Sequence, residues 1–338
     1  MSHNLESMFF SGEREKVWHG LGKQVDGALT SDDALVAAGL DWNVEAREVF
    51  LPGSSEPIPG YRAITRVGAR VFNDLGDPVL DDVTGEPIVQ PEAVLSVMSD
   101  KYAIVQNREA FSFVDDLIGG GDVRYDTAGS LRCGAVVWVL AKMPERYILG
   151  DKVEPFLCFS NSHDGSSGVR VCMTPVRVVC NNTLNLALGT AKRSWTTRHV
   201  GRIGDKLEEA RFTLQLADEY MNGFKQLAEK YSAAAISDEQ YREIIEEIFP
   251  LPPTSDNTEN ARKVKNIQHL WNLVFTCYCM PDIDQFRKTK WGVINAISDA
   301  IYHGAPLRTT DGYRENLWAK SIGGNAILDR AVSVLDKF

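Results

Sequence analysis

Asn107-Arg-Glu-Ala-Phe-Ser-Phe-Val-Asp-Asp-Leu-Ile118 runs into Gly119-Gly-Gly121 and then into three segments, Arg124–Gly129, Ala135–Lys142 and Val153–Asn161. This stretch decides the fold. Ala110, Phe111, Val114, Leu117 and Ile118 recur at helical spacing, which predicts an amphipathic helix ended by the glycines. The three segments that follow are short, β-branched or aromatic, and separated by turn residues, which predicts strands. Strands joined by turns, with few helices between them, imply a mainly antiparallel sheet and hence an α+β fold.

Working outward toward the N-terminus, Trp42–Leu51, Tyr61–Phe72 and Ala93–Met98 also read as strands, with turns at Gly76-Asp-Pro78 and Thr84-Gly-Glu-Pro87. Thr30-Ser-Asp-Asp33 offers caps for a short helix over Ala34–Ala38, stopped by Gly39. Residues 1–30 read as an irregular lead-in. Toward the C-terminus, Val169–Cys180 is a further strand or pair, interrupted by Pro175. After Gly204 the pattern turns helical, over Asp205–Lys230, Tyr241–Phe249, Glu259–Cys279, Lys290–Tyr302 and roughly 313–337. Ser237-Asp-Glu-Gln240 is a capping box, and Pro250-Leu-Pro-Pro-Thr-Ser-Asp-Asn257 reads as a linker. Two regions result: a β-rich α+β core over 1–204 and a helical region over 205–338, with the linker near 250–258.

At 338 residues, 44% hydrophobic and 24% charged, the chain has the composition of a folded protein rather than a disordered one. No apolar run is long enough to cross a membrane, and the N-terminus lacks a basic stretch followed by an apolar one, so neither a membrane span nor a signal peptide is expected. Cys133, Cys158, Cys172 and Cys180 sit in apolar strand contexts and read as small hydrophobes. Cys277 and Cys279 lie two apart in a helical pattern and so point to different faces, a poor chelate. The thiols are those of a protein from a reducing cytoplasm, and no motif calls for a metal or cofactor.

Charge is unevenly spread. The chain carries a net −10, which excludes a uniformly basic binder, yet residues 165–204 contain no Asp or Glu at all. They hold Arg170, Arg177, Lys192, Arg193, Arg198 and Arg202, a local +6, so the remainder sums to −16. A window of this length would hold about five acids at the overall composition. Trp195 sits in its densest part, Lys192-Arg-Ser-Trp-Thr-Thr-Arg-His199. Arginine forks hold phosphate oxygens, and an aromatic face stacks an exposed base, so the window is the candidate surface for a single strand. A solvated basic loop paired with the acidic remainder, or a surface for an acidic protein, would carry the same composition.

Other constellations are bland. Ser160-Asn-Ser-His-Asp-Gly-Ser166 gathers serine, histidine and aspartate, but triad members come from separate segments. Asp164-Gly165 reads as a turn with His163 exposed. Gly119-Gly-Gly121 follows a helix instead of opening one, unlike a phosphate-binding loop. Asp81-Asp82 reads as a solvated turn tip. No catalytic motif stands out.

Several stretches together resemble a known family: Val17-Trp-His-Gly-Leu-Gly22, Ala37-Ala-Gly-Leu-Asp-Trp-Asn-Val44, Tyr102-Ala-Ile-Val-Gln-Asn-Arg-Glu-Ala-Phe111, Thr127-Ala-Gly-Ser-Leu131, Ser162-His-Asp-Gly165, Thr174-Pro-Val-Arg-Val-Val-Cys-Asn-Asn-Thr-Leu184, Thr289-Lys-Trp-Gly-Val-Ile-Asn295 and Tyr302-His303. The family is the phage- and plasmid-borne one catalogued as a domain of unknown function. The resemblance implies a mobile-element origin and action in bacterial cytoplasm, with no assigned biochemistry. At fold level the order of elements is similar to that of single-strand annealing proteins of the Rad52-like and Red-beta-like groups, which implies a basic groove in an oligomeric ring.

The expectation is therefore a phage protein without catalytic chemistry that binds single-stranded DNA, promotes annealing or recombination, and forms a homo-oligomer. Its contacts would come from Arg170, Arg177, Lys192, Arg193, Trp195, Arg198 and Arg202. The competing expectation is a phage protein that inhibits or redirects a host protein through an acidic or mixed surface. A metal-dependent enzyme would need carboxylates or histidines converging from distant segments.

Overall fold

The computed structural model describes residues 5–11, 23–26, 29–73, 77–118, 124–177, 182–183, 194–214, 217–252, 258–302, 304 and 325–338. The fold is mixed α+β. In chain order its elements are β1 (Leu5–Ser11), β2 (Lys23–Val25), α1 (Ser31–Ala37), β3 (Asn43–Phe50), β4 (Pro57–Val67), β5 (Ala93–Ser99), α2 (Asn107–Ile118), β6 (Arg124–Leu131), β7 (Val136–Lys142), β8 (Arg146–Ile148), β9 (Asp151–Ser162), β10 (Val169–Arg177), β11 (Asn182–Thr183) and β12 (Ser194–Thr197). The helices α3 (Ile203–Leu214), α4 (Ala217–Ala233), α5 (Asp238–Ile248), α6 (Thr258–Tyr278), α7 (Lys290–Tyr302) and α8 (Ala326–Leu335) follow, with a 3-10 turn at Pro281–Phe286.

The chain divides into two compact units. The first comprises Met1–Met143, Phe156–Cys172 and Ser194–Gln215; the second comprises Pro144–Pro155, Met173–Arg193 and Leu216–Phe338. The last boundary lies between Gln215 and Leu216, past Gly204 where the sequence pattern turns helical. Two stretches of the β-rich half, 144–155 and 173–193, go with the helices instead.

The main sheet has the order β11-β10-β9-β7-β6-β1-β2, with β12 also paired to β10 and β8 to β9; the β1–β2 pair is parallel and the β1–β6, β6–β7, β7–β9 and β10–β12 pairs are antiparallel. A separate sheet, β3-β4-β5, is antiparallel throughout. Central strands are covered on both faces, so β7 reads Val-Val-Trp-Val-Leu-Ala with no polar alternation and is almost wholly buried. The predicted stripe of α2 packs on this core: Ala110, Phe111 and Val114 are buried with Val137, Val139, Leu157 and Phe159. Each such large side chain contributes roughly 1.5–3 kcal/mol by leaving water. The Thr30 hydroxyl caps α1 by accepting from the Asp33 amide at 3.2 Å. Gly39 ends it at φ +65°, where a Cβ would lie 2.9 Å from the Phe72 ring.

The N-terminal segment departs from expectation. Residues 5–11, read as irregular, form a strand between β6 and β2, with Phe9 wholly buried. Seven residues with Met8-Phe-Phe10 in a row are too few to show a strand period.

In the second unit, α5 opens with the predicted capping box: Ser237 accepts from the Gln240 amide, and the Gln240 side chain accepts from the Ser237 amide. The pattern over Asp205–Lys230 is helical on both sides of 215–216, which lie outside the described residues: α3 belongs to the first unit and α4 to the second. α7 is buried nearly all round, as an evenly apolar helix must be. Cys277, in the last turn of α6, is buried, and Cys279, in the turn just past the helix, is exposed. Burial pushes the Cys277 thiol up to about 12, with Asp299 adding to the shift.

Candidate nucleic-acid interface

The described part of the acid-free window is divided between the two units. Lys192 and Arg193 lie outside the described residues. Arg177 ends β10, paired in register with Asn182, in the second unit. Arg170, Trp195, Arg198 and Arg202 belong to the first unit.

β12 sorts the first unit's members by face. Successive strand side chains point to opposite faces, and β12 pairs antiparallel with β10 so that Trp195 faces Val171 and Thr196 faces Arg170. Val171 is on the core face, so Trp195 is too. It is 8% exposed and packed in the hydrophobic cluster with Val169 and Val171. The expected stacking residue is therefore a core residue, correcting the reading of Trp195 as part of the interface. Arg170 lies on the other face, half-buried.

Past β12 the chain enters a pinned turn. The backbone N–H of Ala103 donates to the His199 carbonyl at 3.0 Å, and His199 Nδ1 lies 2.9 Å from the Ala103 carbonyl oxygen. A carbonyl only accepts, so Nδ1 carries the proton. The His199 ring stacks on Tyr102 at 4.6 Å and 16°. Gly201, at φ +78°, turns the chain into α3. Lys206, one turn into α3, donates from Nζ to the Arg198 carbonyl at 3.1 Å.

This corner displays Arg198 and Arg202, both exposed, beside Lys206. Among the described residues none of these three cations forms an ion pair. Elsewhere in the same unit Lys23 pairs with Asp77, Arg47 with Glu45 and Glu92, Arg70 with Asp41, Arg108 with Asp32 and Arg132 with Asp164. These three cations outnumber the one acid among them, Asp205 in the first turn of α3, so the corner keeps a net positive charge for an external anion.

The Ser160–Gly165 motif holds what sequence reasoning missed. Asp164-Gly165 does turn, with Gly165 at φ +68° and Asp164 accepting from the Ser166 amide. His163, however, is not exposed; it is wholly buried. Its Nε2 sits 3.2 Å from Asn107 Oδ1, Asn107 Nδ2 donates to the Leu40 carbonyl at 3.0 Å, and Trp42 meets the ring edge-on at 5.6 Å. Because the Asn107 amide nitrogen is committed to Leu40, Oδ1 accepts and His163 Nε2 donates. Two residues earlier on the same face of β9, Asn161 donates to the Val105 carbonyl. Desolvation, followed by the nearby His199, pulls His163 down to about 3 although Asp164 opposes this; desolvation also lowers His199. Both are neutral at pH 7. Neither Asp164, which pairs with Arg132, nor Ser162, which bonds Ser167, is bonded to this imidazole. The group is a polar clamp holding 102–107 against β9 and β12. The alternation of Asn161 and His163 along a strand is the sequence signal that could have revealed it.

Asp81 is the solvated turn residue expected: its carboxylate accepts from the Thr84 and Val83 amides, which lower its pKa. Among the described residues no three His, Cys, Asp or Glu side chains could hold a metal ion, and no helix is long and apolar enough to cross a membrane.

Fold and surface thus define an α+β protein of two compact units, with an unpaired cationic corner on the first. Residues 94–322 match the family model described as a domain of unknown function, DUF932, and the chain belongs to that family. No curated protein and no solved structure matches the chain. The likeness to single-strand annealing proteins therefore rests on the order of elements alone.

Proposed function

We propose that this chain is a non-enzymatic phage or plasmid protein that binds single-stranded DNA by its backbone and brings complementary strands together in the bacterial cytoplasm, as a homo-oligomer. The observation that carries the reading is the corner of Arg198, Arg202 and Lys206: three cations on a pinned turn with one acid, Asp205, among them, in a chain of net −10. A polyanion is the partner whose binding such a cluster favours, because each neutralised phosphate releases counterions. With Trp195 in the core, the contact is electrostatic and indifferent to sequence.

Fluorescence anisotropy of a labelled oligonucleotide, titrated at several salt concentrations, tests this. The expected result is binding whose affinity falls steeply with salt. A folded sample that leaves the oligonucleotide free at low salt and micromolar protein overturns it.

A further inference from the structure

The first unit also carries a surface that the cationic corner would fit. Nine of the sixteen large hydrophobic side chains exposed among the described residues lie between Phe50 and Val97. Most of this segment precedes the family match, which begins at residue 94. Within it, residues 69–73 and 77–90 are held together as an arm by backbone bonds: Val71 N–H to the Ile88 carbonyl, Val79 N–H to the Val71 carbonyl, and Ile88 N–H to the Val79 carbonyl.

The tip of the arm is hydrogen-bonded within itself and carries an apolar residue among acids. Asp81 Oδ1 accepts from the Val83 and Thr84 amides at 2.9 and 2.8 Å, and the Asp81 amide donates to the Glu86 carbonyl at 2.8 Å. This fixes Val83 at the apex, 93% exposed, between the exposed carboxylates Asp82 and Glu86. Val83 therefore stands in water with a carboxylate on either side of it in the chain.

The cationic corner has the opposite composition around the same kind of centre. Val200, 51% exposed, lies between Arg198 and Arg202, with Lys206 beside them. An apolar centre rimmed by carboxylates meets an apolar centre rimmed by cations. We infer that the arm tip of one copy docks on the cationic corner of a second copy, Val83 against Val200 and Asp82 and Glu86 against Arg198, Arg202 and Lys206. The two patches differ, so the contact is head-to-tail and propagates into a ring or a filament. A hairpin tip buries less than the roughly 1,200 Å² of a stable interface, so association is weak and grows with concentration. If the corner also binds nucleic acid, as proposed above, the arm tip competes for it.

Sedimentation of the full chain across a concentration series, at low and high salt, tests the contact. Wild type is expected to rise above the 37.5 kDa monomer with concentration at low salt and to fall back at high salt. Asp82→Lys with Glu86→Lys, and separately Arg198→Glu with Arg202→Glu, should each weaken association about tenfold or more, and mixing the two variants should restore it. A wild type that stays monomeric, or a mixture that fails to recover, overturns the inference. The nucleic-acid reading is scored separately on the arm variant, which retains the corner. An arm variant that binds an oligonucleotide but no longer associates upholds both ideas, whereas one that binds no oligonucleotide defeats the function and leaves the docking result standing.

Discussion

The end of β9 and the β12 turn offer opposite lessons about polar sequence. Ser160–Gly165 is polar, ends in an Asp-Gly turn and reads as solvent, yet His163 and Ser162 are wholly buried. Lys192–His199 is more polar still, and Trp195 and His199 are in the interior while Arg198 is exposed. In both places the backbone sets the outcome. A strand sends alternate side chains to opposite faces, so a window averaged over composition mixes core and surface. The difference lies in how each buried polar group is satisfied. His163 is held by another side chain, Asn107, and His199 by a backbone carbonyl and a stacked tyrosine.

The strongest way to break this comparison is to truncate the residue assigned to the core. Trp195→Ala should destabilise the protein by roughly 3–5 kcal/mol, read as a large drop in Tm. Trp195→Phe should recover much of that loss. A stable Trp195→Ala with weakened nucleic-acid binding would return the indole to the surface and undo the face assignment of β12.

Acid probes the other region. His163 is held near 3 in the folded state against an ordinary value of 6.5, so the unfolded chain binds the extra proton across that interval. Stability is then fully present above about pH 6.5 and is lost as the pH falls toward 3, by roughly 4 kcal/mol from this group alone. Lowered His199 acts in the same direction. Thermal melts between pH 7 and 4 should show a steeper decline for wild type than for His163→Gln, whose side chain does not titrate. Parallel declines would mean that His163 finds water or an acid partner when protonated.

Much of the architecture was legible because it depends on local signals. α2, α5 and α7 follow from stripes and caps, and β6, β7 and β9 from composition and turns. β1 was not, because seven residues carry no period and its strand character comes from pairing with β6 across more than a hundred residues of chain. The candidate site was half legible. Absence of acids found the window, but only the register of β12 on β10 shows that Trp195 turns inward while Arg170 lies on the opposite face. The arm tip was read correctly as a solvated turn; its significance lies in Val83, which no charge pattern marks.

A smaller effect sharpens the account of the β9 turn. Gly165 adopts φ +68°, and a Cβ there would approach Met98 Cε at 2.3 Å. The methionine end can move, so the backbone conformation dominates, and Gly165→Ala should cost about 1 kcal/mol. A neutral result by denaturant melt would show that the turn relaxes to another conformation without disturbing the buried His163.

The smallest expected change in stability belongs to the corner itself. Arg198 and Arg202 are exposed, lie beyond the last strand residue, and make no ion pair among the described residues, so Arg198→Glu with Arg202→Glu should shift stability by no more than roughly 0.5 kcal/mol. Its effect on binding should be the reverse. Two phosphate attractions become repulsions, and the dependence of log affinity on log salt should flatten by about two units if each arginine contacts one phosphate. Lys206→Ala is the finer probe, because its ammonium also donates to the Arg198 carbonyl and so helps hold the turn. It should remove about one unit of slope and loosen the presentation of Arg198, leaving Trp195 packed and the melt almost unchanged. Wild-type slope in both variants would place the contact elsewhere in the window and make the corner a solvated surface.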